Sequence, residues 1–239
     1  MGIPASGDTN IAAVARLLAD PVRVRFLLSL RDGQGLPAGQ LARLAQVSPS
    51  AASFHLSKLV AGGLLEVQSR GKHRYFRVAH PELVHAVEAL AVVAPSEPVT
   101  SLRQSRAAAA VRFARICDGH LGGHLGVRLT RTLVERAILT EAGEGYRPST
   151  HGLSRLRALG INSAETMQPD HFVTRHPDWS EHGYHLAGPL AKALTDRMLE
   201  LGWITPAQAR RAVRLTSTGR TGLQEAFGLT IEDRPLTAR

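Results

Sequence analysis

The sequence predicts a mainly α protein with small β-hairpin wings (α+β), a winged helix-turn-helix followed by a pseudo-repeated helical, winged-helix-like domain. Three observations predict it. Hydrophobic residues make up 44 % of the chain but aromatic residues only 5 %, so cores must be built from Leu, Val and Ala, which favours helices over sheets. Helix-start pairs at Asp20-Pro21 and Ser48-Pro49 punctuate the first eighty residues, and an alternating segment follows them. Finally, the stretch from His120 recurs from His185, at an offset of 65 residues.

Residues 1–9 read as a flexible arm, and Ile11 to Leu18 has helical spacing. Asp20 then caps a helix with Pro at its first position, a pairing that suits both residues because the first helical N–H has no partner. Val22, Val24, Phe26, Leu27, Leu28 and Leu30 follow, and Asp32-Gly33 stops the helix. Pro37 to Gln46 is a short helix with Leu41, Leu44 and Ala45 inward. Ser48-Pro49 opens another helix through about Ala61, which Gly62-Gly63 ends. Leu64 to Ser69 and His73 to Val78 alternate on either side of Arg70-Gly71-Lys72 and read as a β-hairpin. Pro81 to Val93 is a mostly apolar helix. The expected domains are therefore 10–94 and 102–239, joined by a linker over 95–101.

Within the second domain, two copies are expected over about 117–160 and 176–229. Each combines a helix, a turn or hairpin, and a helix. Neither copy alone buries much, so the two are expected to stack into one pseudo-symmetric body. Ahead of them, Arg103, Arg106, Arg112 and Arg115 surround an Ala run. That pattern reads as a solvated or dimer-facing helix over 102–117, with a further capacity for DNA-backbone contacts.

The formal net charge is +9, which favours polyanionic partners: nucleic acid, or less often an anionic membrane surface. The excess is concentrated. Residues 10–80 carry ten Lys or Arg against Asp20, Asp32 and Glu66. One cysteine, Cys117, excludes an intrachain disulfide and fits a reducing cytoplasm. The N-terminus has no basic patch followed by an apolar run, and no stretch approaches a membrane span.

A helix-turn-helix places its second helix in the major groove of duplex DNA. Here that helix is 48–61. Ala52, Leu56, Leu59 and Gly63 form a stripe that must face the core. The opposite side then carries Ser50, Ala51, Ser53, Phe54, Ser57 and Lys58, with Ser48 at the entry. Small hydroxyl residues let a helix enter the groove and bond bases or phosphates, and Lys58 suits phosphate. Arg70 and Lys72 flank the Gly turn of the hairpin, where they can reach phosphates or the minor groove. An ordinary solvated Ser/Ala helix face is the competing reading.

These residues carry a resemblance. Leu18-Ala-Asp-Pro-Val-Arg23, Gln40-Leu-Ala42, Ser50-Ala-Ala-Ser-Phe-His-Leu-Ser-Lys-Leu59, Gly63-Leu-Leu65 and Gly71-Lys-His-Arg-Tyr75 resemble the winged-helix repressors of the ArsR/SmtB family, over roughly residues 10–93. The resemblance implies a homodimer formed by the first helix and the 81–93 helix. It also implies an inverted-repeat operator in double-stranded DNA, released when an effector binds. The chain departs from the family at its usual sensor positions. Gly35 to Gly39 has no cysteine, and His80, Glu82, His85 and Glu88 lack the full ligand set, so these four read as surface or interface residues.

Any signal is therefore expected through the second domain. Seven of the eleven histidines lie between His120 and His185. Cys117, Asp118, His120 and His124 have spacings that share a face on a helix, and His176, Asp178, His182 and His185 precede the second copy. Such donors suit Zn, Ni, Co or Cu. Cys117 is alternatively a redox thiol, and a small-molecule effector between the copies is equally open, with Trp179 and Trp203 as lining or as core. Against all of these, matched histidines in a duplicated unit can be purely structural. No serine elbow, phosphate loop or complete nucleophile signature is present, so the chain does not read as an enzyme. The alternative to an effector-released repressor is a ligand-independent architectural or interaction protein with the repeats as scaffold.

Overall fold

The computed structural model describes residues 9–30, 35–71, 73–95, 101–162, 166–168, 170–207, 209 and 211–232. The expected arm (1–9, save Thr9), the Asp32-Gly33 stop, Lys72 and most of the expected linker lie outside them. The chain divides into two units, Met1–Glu88 and Ala89–Arg239.

In the first unit the order is α1 (Ile11–Leu18), α2 (Pro21–Leu30), β1 (Leu36–Pro37), α3 (Ala38–Ala45), α4 (Pro49–Ala61), β2 (Leu65–Arg70), β3 (His73–Val78) and α5 (Pro81–Val93), whose last residues pass into the second unit. The caps sit where the sequence puts them. Asp20 Oδ1 accepts from the N–H groups of Val22 (2.9 Å) and Arg23 (3.1 Å), and Ser48 Oγ accepts from Ala51 N–H at 3.2 Å. Phe26, Leu27 and Leu30 of α2, Leu41, Ala42 and Ala45 of α3, and Ala52, Leu56 and Leu59 of α4 close one core with Leu64, Leu65 and Phe76. Each fully buried Leu or Phe there is worth about 1.5–3 kcal/mol. Strands β2 and β3 pair antiparallel from Leu65↔Val78 to Arg70↔His73, and β1 adds to the outer edge of β3.

Two expected core positions face solvent. Leu44 is 38 % exposed, because α3 buries the face formed by Leu41, Ala42 and Ala45. Gly63 is exposed beyond the end of α4 and so does not extend the Ala52-Leu56-Leu59 stripe.

The second unit begins with α6 (Leu102–Phe113) and then repeats one pattern twice. The first copy is β4 (Arg115–Cys117), β5 (His120–Gly122), α7 (Gly123–Glu135), β6 (Leu139–Ala142), β7 (Gly145–Pro148) and α8 (Thr150–Ala158). The second is β8 (Val173–Asp178), β9 (Gly183–Leu186), α9 (Pro189–Glu200), β10 (Ile204–Pro206), β11 (Val213–Leu215) and α10 (Ser217–Phe227). Each copy is thus hairpin, helix, hairpin, helix, with a leading hairpin in addition to the expected helix, turn or hairpin, and helix.

The copies are joined reciprocally. β7 of the first pairs with β8 of the second. At the other end, the Arg115↔Ala212 bridge and the Val213 N–H to Ala114 carbonyl bond tie the start of the first copy to the end of the second. α7 packs on β9 and α9 on β5. Their seam is lined by matched pairs, Leu121 with Leu186, Gly126 with Ala191, Leu129 with Leu194 and Thr130 with Thr195. The last helices start alike. Ser149 Oγ and Thr216 Oγ1 cap α8 and α10 by accepting from Gly152 and Gly219 N–H, and the same hydroxyls donate to the Ala137 and Gly202 carbonyls. A Cβ on Gly152 would lie 1.9 Å from the Ile138 carbonyl oxygen, and one on Gly219 2.1 Å from that of Trp203. Only glycine permits these helices to sit so close to the preceding hairpins.

Candidate nucleic-acid interface and histidine cluster

The outer face of α4 is built by exclusion. Ala52, Leu56 and Leu59 are 0–1 % exposed, which turns Ser50, Ser53, Phe54, Ser57 and Lys58 to solvent and leaves Ala51 half-buried. Ser48 Oγ lies 3.0 Å from Ser50 Oγ at the helix entry. Phe54 is 60 % exposed, and the Lys58 ammonium stands 5.6 Å from its ring centre. An exposed aromatic amid hydroxyls and a cation offers apolar contact to a thymine methyl beside hydrogen-bonding groups. Arg70 ends β2 at the wing tip, where Gly71 takes φ +58. Tyr75 is half-buried, and Val78 packs against the core. His80, Glu82 and His85 are exposed, whereas Glu88 is buried.

In the second unit the structure separates the eight candidate donors. Cys117 and His120 do not share a helix face. They are cross-strand partners of the β4–β5 hairpin, because Asp118 (φ +46) and Gly119 (φ +80) reverse the chain between them. Asp118 is exposed in that turn, and His182 is exposed as well. His124 is on α7, its Nδ1 3.2 Å from Glu181 Oε2 and its ring stacked on Phe113. Of the remaining five, Cys117, His120, His176 and His185 converge, with Asp178 beside them. His176 and His185 are cross-strand partners in the β8–β9 hairpin. Donor atoms of Cys117, His120 and His185 all lie within 4.8 Å of one another. The His176 ring is centred 5.2 Å from that of His120 and 6.0 Å from that of His185.

Asp178 stands behind this group. Its Oδ2 is 2.9 Å from His185 Nδ1 and accepts from Arg115 Nη2 at 2.8 Å and Gly123 N–H at 2.7 Å. Its Oδ1 accepts from the Ser180 hydroxyl at 2.7 Å. Burial alone would raise the Asp178 pKa. The His185 ring, the Arg115 charge, the Gly123 N–H and Ser180 outweigh it and hold the carboxyl well below the usual carboxylate range.

Residues 18–68 match a helix-turn-helix domain family. The chain is 39 % identical over 225 residues to the uncharacterized HTH-type transcriptional regulator YdfF of Bacillus subtilis, an alignment covering 94 % of this chain and all of that one. The chain belongs to the HTH-type transcriptional regulators. It is a DNA-binding transcriptional regulator. The HTH-type regulator CmtR of Mycobacterium bovis is 36 % identical over 86 residues, which is 36 % of this chain and 72 % of that protein. Among solved structures, HlyU from Vibrio cholerae is 24 % identical with a TM-score of 0.33 and matches 35 % of this chain and 89 % of its own.

The regulator contains site residues that the sequence reading missed. His55, half-buried on α4, lies 3.6 Å from Asp20. Arg115 belongs to strand β4, not to a helix over 102–117; it is fully buried and stacks 4.5 Å from the centre of Trp179. Its role depends on Asp178, 63 residues away, so no local spacing signals it. Trp203 is core. Among the described residues of the regulator no helix is long and apolar enough to cross a membrane.

Proposed function

We propose that this regulator acts in the cytoplasm as a homodimer on an inverted-repeat operator in double-stranded DNA, as a repressor released by an effector. Its reading unit lies within residues 10–94, and the effector is sensed within 102–239. The observation that carries the DNA-reading part is the α4 face: Ser50, Ala51, Ser53, Phe54, Ser57 and Lys58 opposite the buried Ala52, Leu56 and Leu59. A helix so divided is held rigidly by its core side and presents short polar groups plus one aromatic to a groove. Ser48 at the entry and Arg70 and Lys72 at the wing add backbone contacts.

Dimerisation is supported by exposed apolar side chains on α1 and α5. In α1, Ile11 is 74 % exposed, and in α5 Leu90, Val92 and Val93 are 54 %, 43 % and 79 % exposed. Duplexes selected from a random pool on the full-length protein supply the operator. The Lys58→Ala, Arg70→Ala double variant is then expected to bind the selected duplex more weakly, with a slope of log affinity on log salt reduced by about 2. Undiminished binding with an unchanged slope overturns the assigned face.

A further inference from the structure

We propose that Cys117, His120, His176 and His185 together hold one transition-metal ion of the zinc class at the junction of the two repeats. The first support is positional. Each copy opens with a hairpin, and each hairpin contributes one cross-strand pair, Cys117↔His120 in the first and His176↔His185 in the second. His120 and His185 occupy corresponding places, each followed by a leucine that lines the seam between copies. Two donors from each half of a pseudo-symmetric body meet on its seam. This is the arrangement that four-coordinate binding needs.

Geometry and burial agree with it. A tetrahedral ion with one thiolate and three imidazoles sets its donor atoms about 3–4 Å apart. Three of them already lie within 4.8 Å, and the fourth ring borders two of these. Cys117, His120 and His185 are only 1 %, 2 % and 1 % exposed, and His176 is half-buried at their edge. His185 Nε2 is buried with no hydrogen-bond partner among the described residues, which is costly for a polar atom unless something occupies its lone pair. Its other nitrogen faces Asp178, itself fixed by Arg115 and the Gly123 N–H. Metal-bound histidines are oriented by such a carboxylate behind the ring, which also strengthens the ligating nitrogen. Among the described residues no other group of three His, Cys, Asp or Glu donors converges in this way. The mixed sulfur and nitrogen set favours zinc or cobalt over calcium or magnesium. Nothing in the assignment depends on DNA binding.

The experiment uses the full-length chain, stripped with chelator and titrated with Co(II), then with Zn(II) in competition. One equivalent is expected, with the visible bands of tetrahedral cobalt and a near-ultraviolet thiolate-to-cobalt band. Cys117→Ser should lose the thiolate band while keeping its far-ultraviolet circular dichroism. Asp178→Asn should weaken the affinity about 10- to 100-fold, whereas His124→Ala and His182→Ala should match wild type. His176→Asn, at the half-buried edge of the group, tests the same point should a buried variant fail to fold. Sub-stoichiometric cobalt uptake by the wild-type chain overturns the proposal, as does a thiolate band that survives Cys117→Ser.

Discussion

Arg115 and Asp178 form an ion pair at 2.8 Å whose side chains are 1 % and 0 % exposed. The pair draws together the first strand of one repeat and the first hairpin of the other. A pair this deep gains little over an apolar replacement of both partners, but losing one partner leaves an uncompensated buried charge. Arg115→Met is therefore expected to cost about 3–5 kcal/mol, and Arg115→Met with Asp178→Leu distinctly less than twice that. Urea denaturation of metal-stripped protein, followed by tryptophan fluorescence, measures both. Additive losses would show that the two side chains act independently.

Gly152 and Gly219 invite a sign test. In an exposed helix Gly→Ala gains about 1 kcal/mol. Here the added methyl would collide with a carbonyl oxygen, at 1.9 Å in one copy and 2.1 Å in the other. Both substitutions should destabilise, by about 1–3 kcal/mol each, in thermal melts of the second unit's transition. A gain at either site would mean that helix and hairpin can separate freely there.

Phe54 separates folding from recognition. With 60 % of its surface exposed, Phe54→Ala should change stability by no more than about 0.5 kcal/mol. Affinity for a selected duplex should nevertheless fall, because the apolar contact of the ring with a thymine methyl is lost. Fluorescence anisotropy on duplexes carrying uracil in place of each thymine locates the contact. Equal affinity of wild type and variant would remove Phe54 from the reading face.

Asp20 gives a pH dependence with a definite sign. Burial works to raise its pKa, but the N–H groups of Arg23 and Val22 and the nearby His55 lower it overall. A carboxylate depressed in the fold contributes stability that is fully present above its unfolded value, about 3.9, and is lost as the pH falls through the folded value. Asp20→Ala should cost about 1 kcal/mol at neutral pH, as a lost helix cap. The gap to wild type should narrow below about pH 4. Asp20→Asn, which keeps an acceptor oxygen, should show a flatter profile in pH-dependent chemical denaturation.

Much of the first unit is legible because its signals are local. Ser48-Pro49 fixes where α4 begins, and Ala52, Leu56 and Leu59 fix how it is rotated, so the exposed face follows. Leu44 escaped because α3 is only eight residues long, too short for periodicity to choose between neighbouring faces. The second unit hid more. Cys117, His120 and His124 fit a helical spacing as well as a hairpin, and β4 and β5 are three residues each. The two strands pair with each other across a two-residue turn, and β4 alone is also bridged to a distant partner, Ala212. The repeat was visible as a sequence offset, but the leading hairpins that bring Cys117 and His120 to His176 and His185 were not.

The reciprocal joining of the repeats carries an implication for the ancestry and assembly of this unit. The β7 edge is satisfied by β8 of the other copy, and a single copy would leave that edge bare and prone to recruit another chain. An isolated first repeat therefore has a ready route to self-association through this edge. Such a pair of identical chains would enclose two cysteines and two histidines where this chain has one cysteine and three histidines. Two repeats in one chain make the pairing permanent and leave each half free to carry its own residue, Cys117 in the first hairpin and His176 in the second, as the cross-strand partner of its histidine.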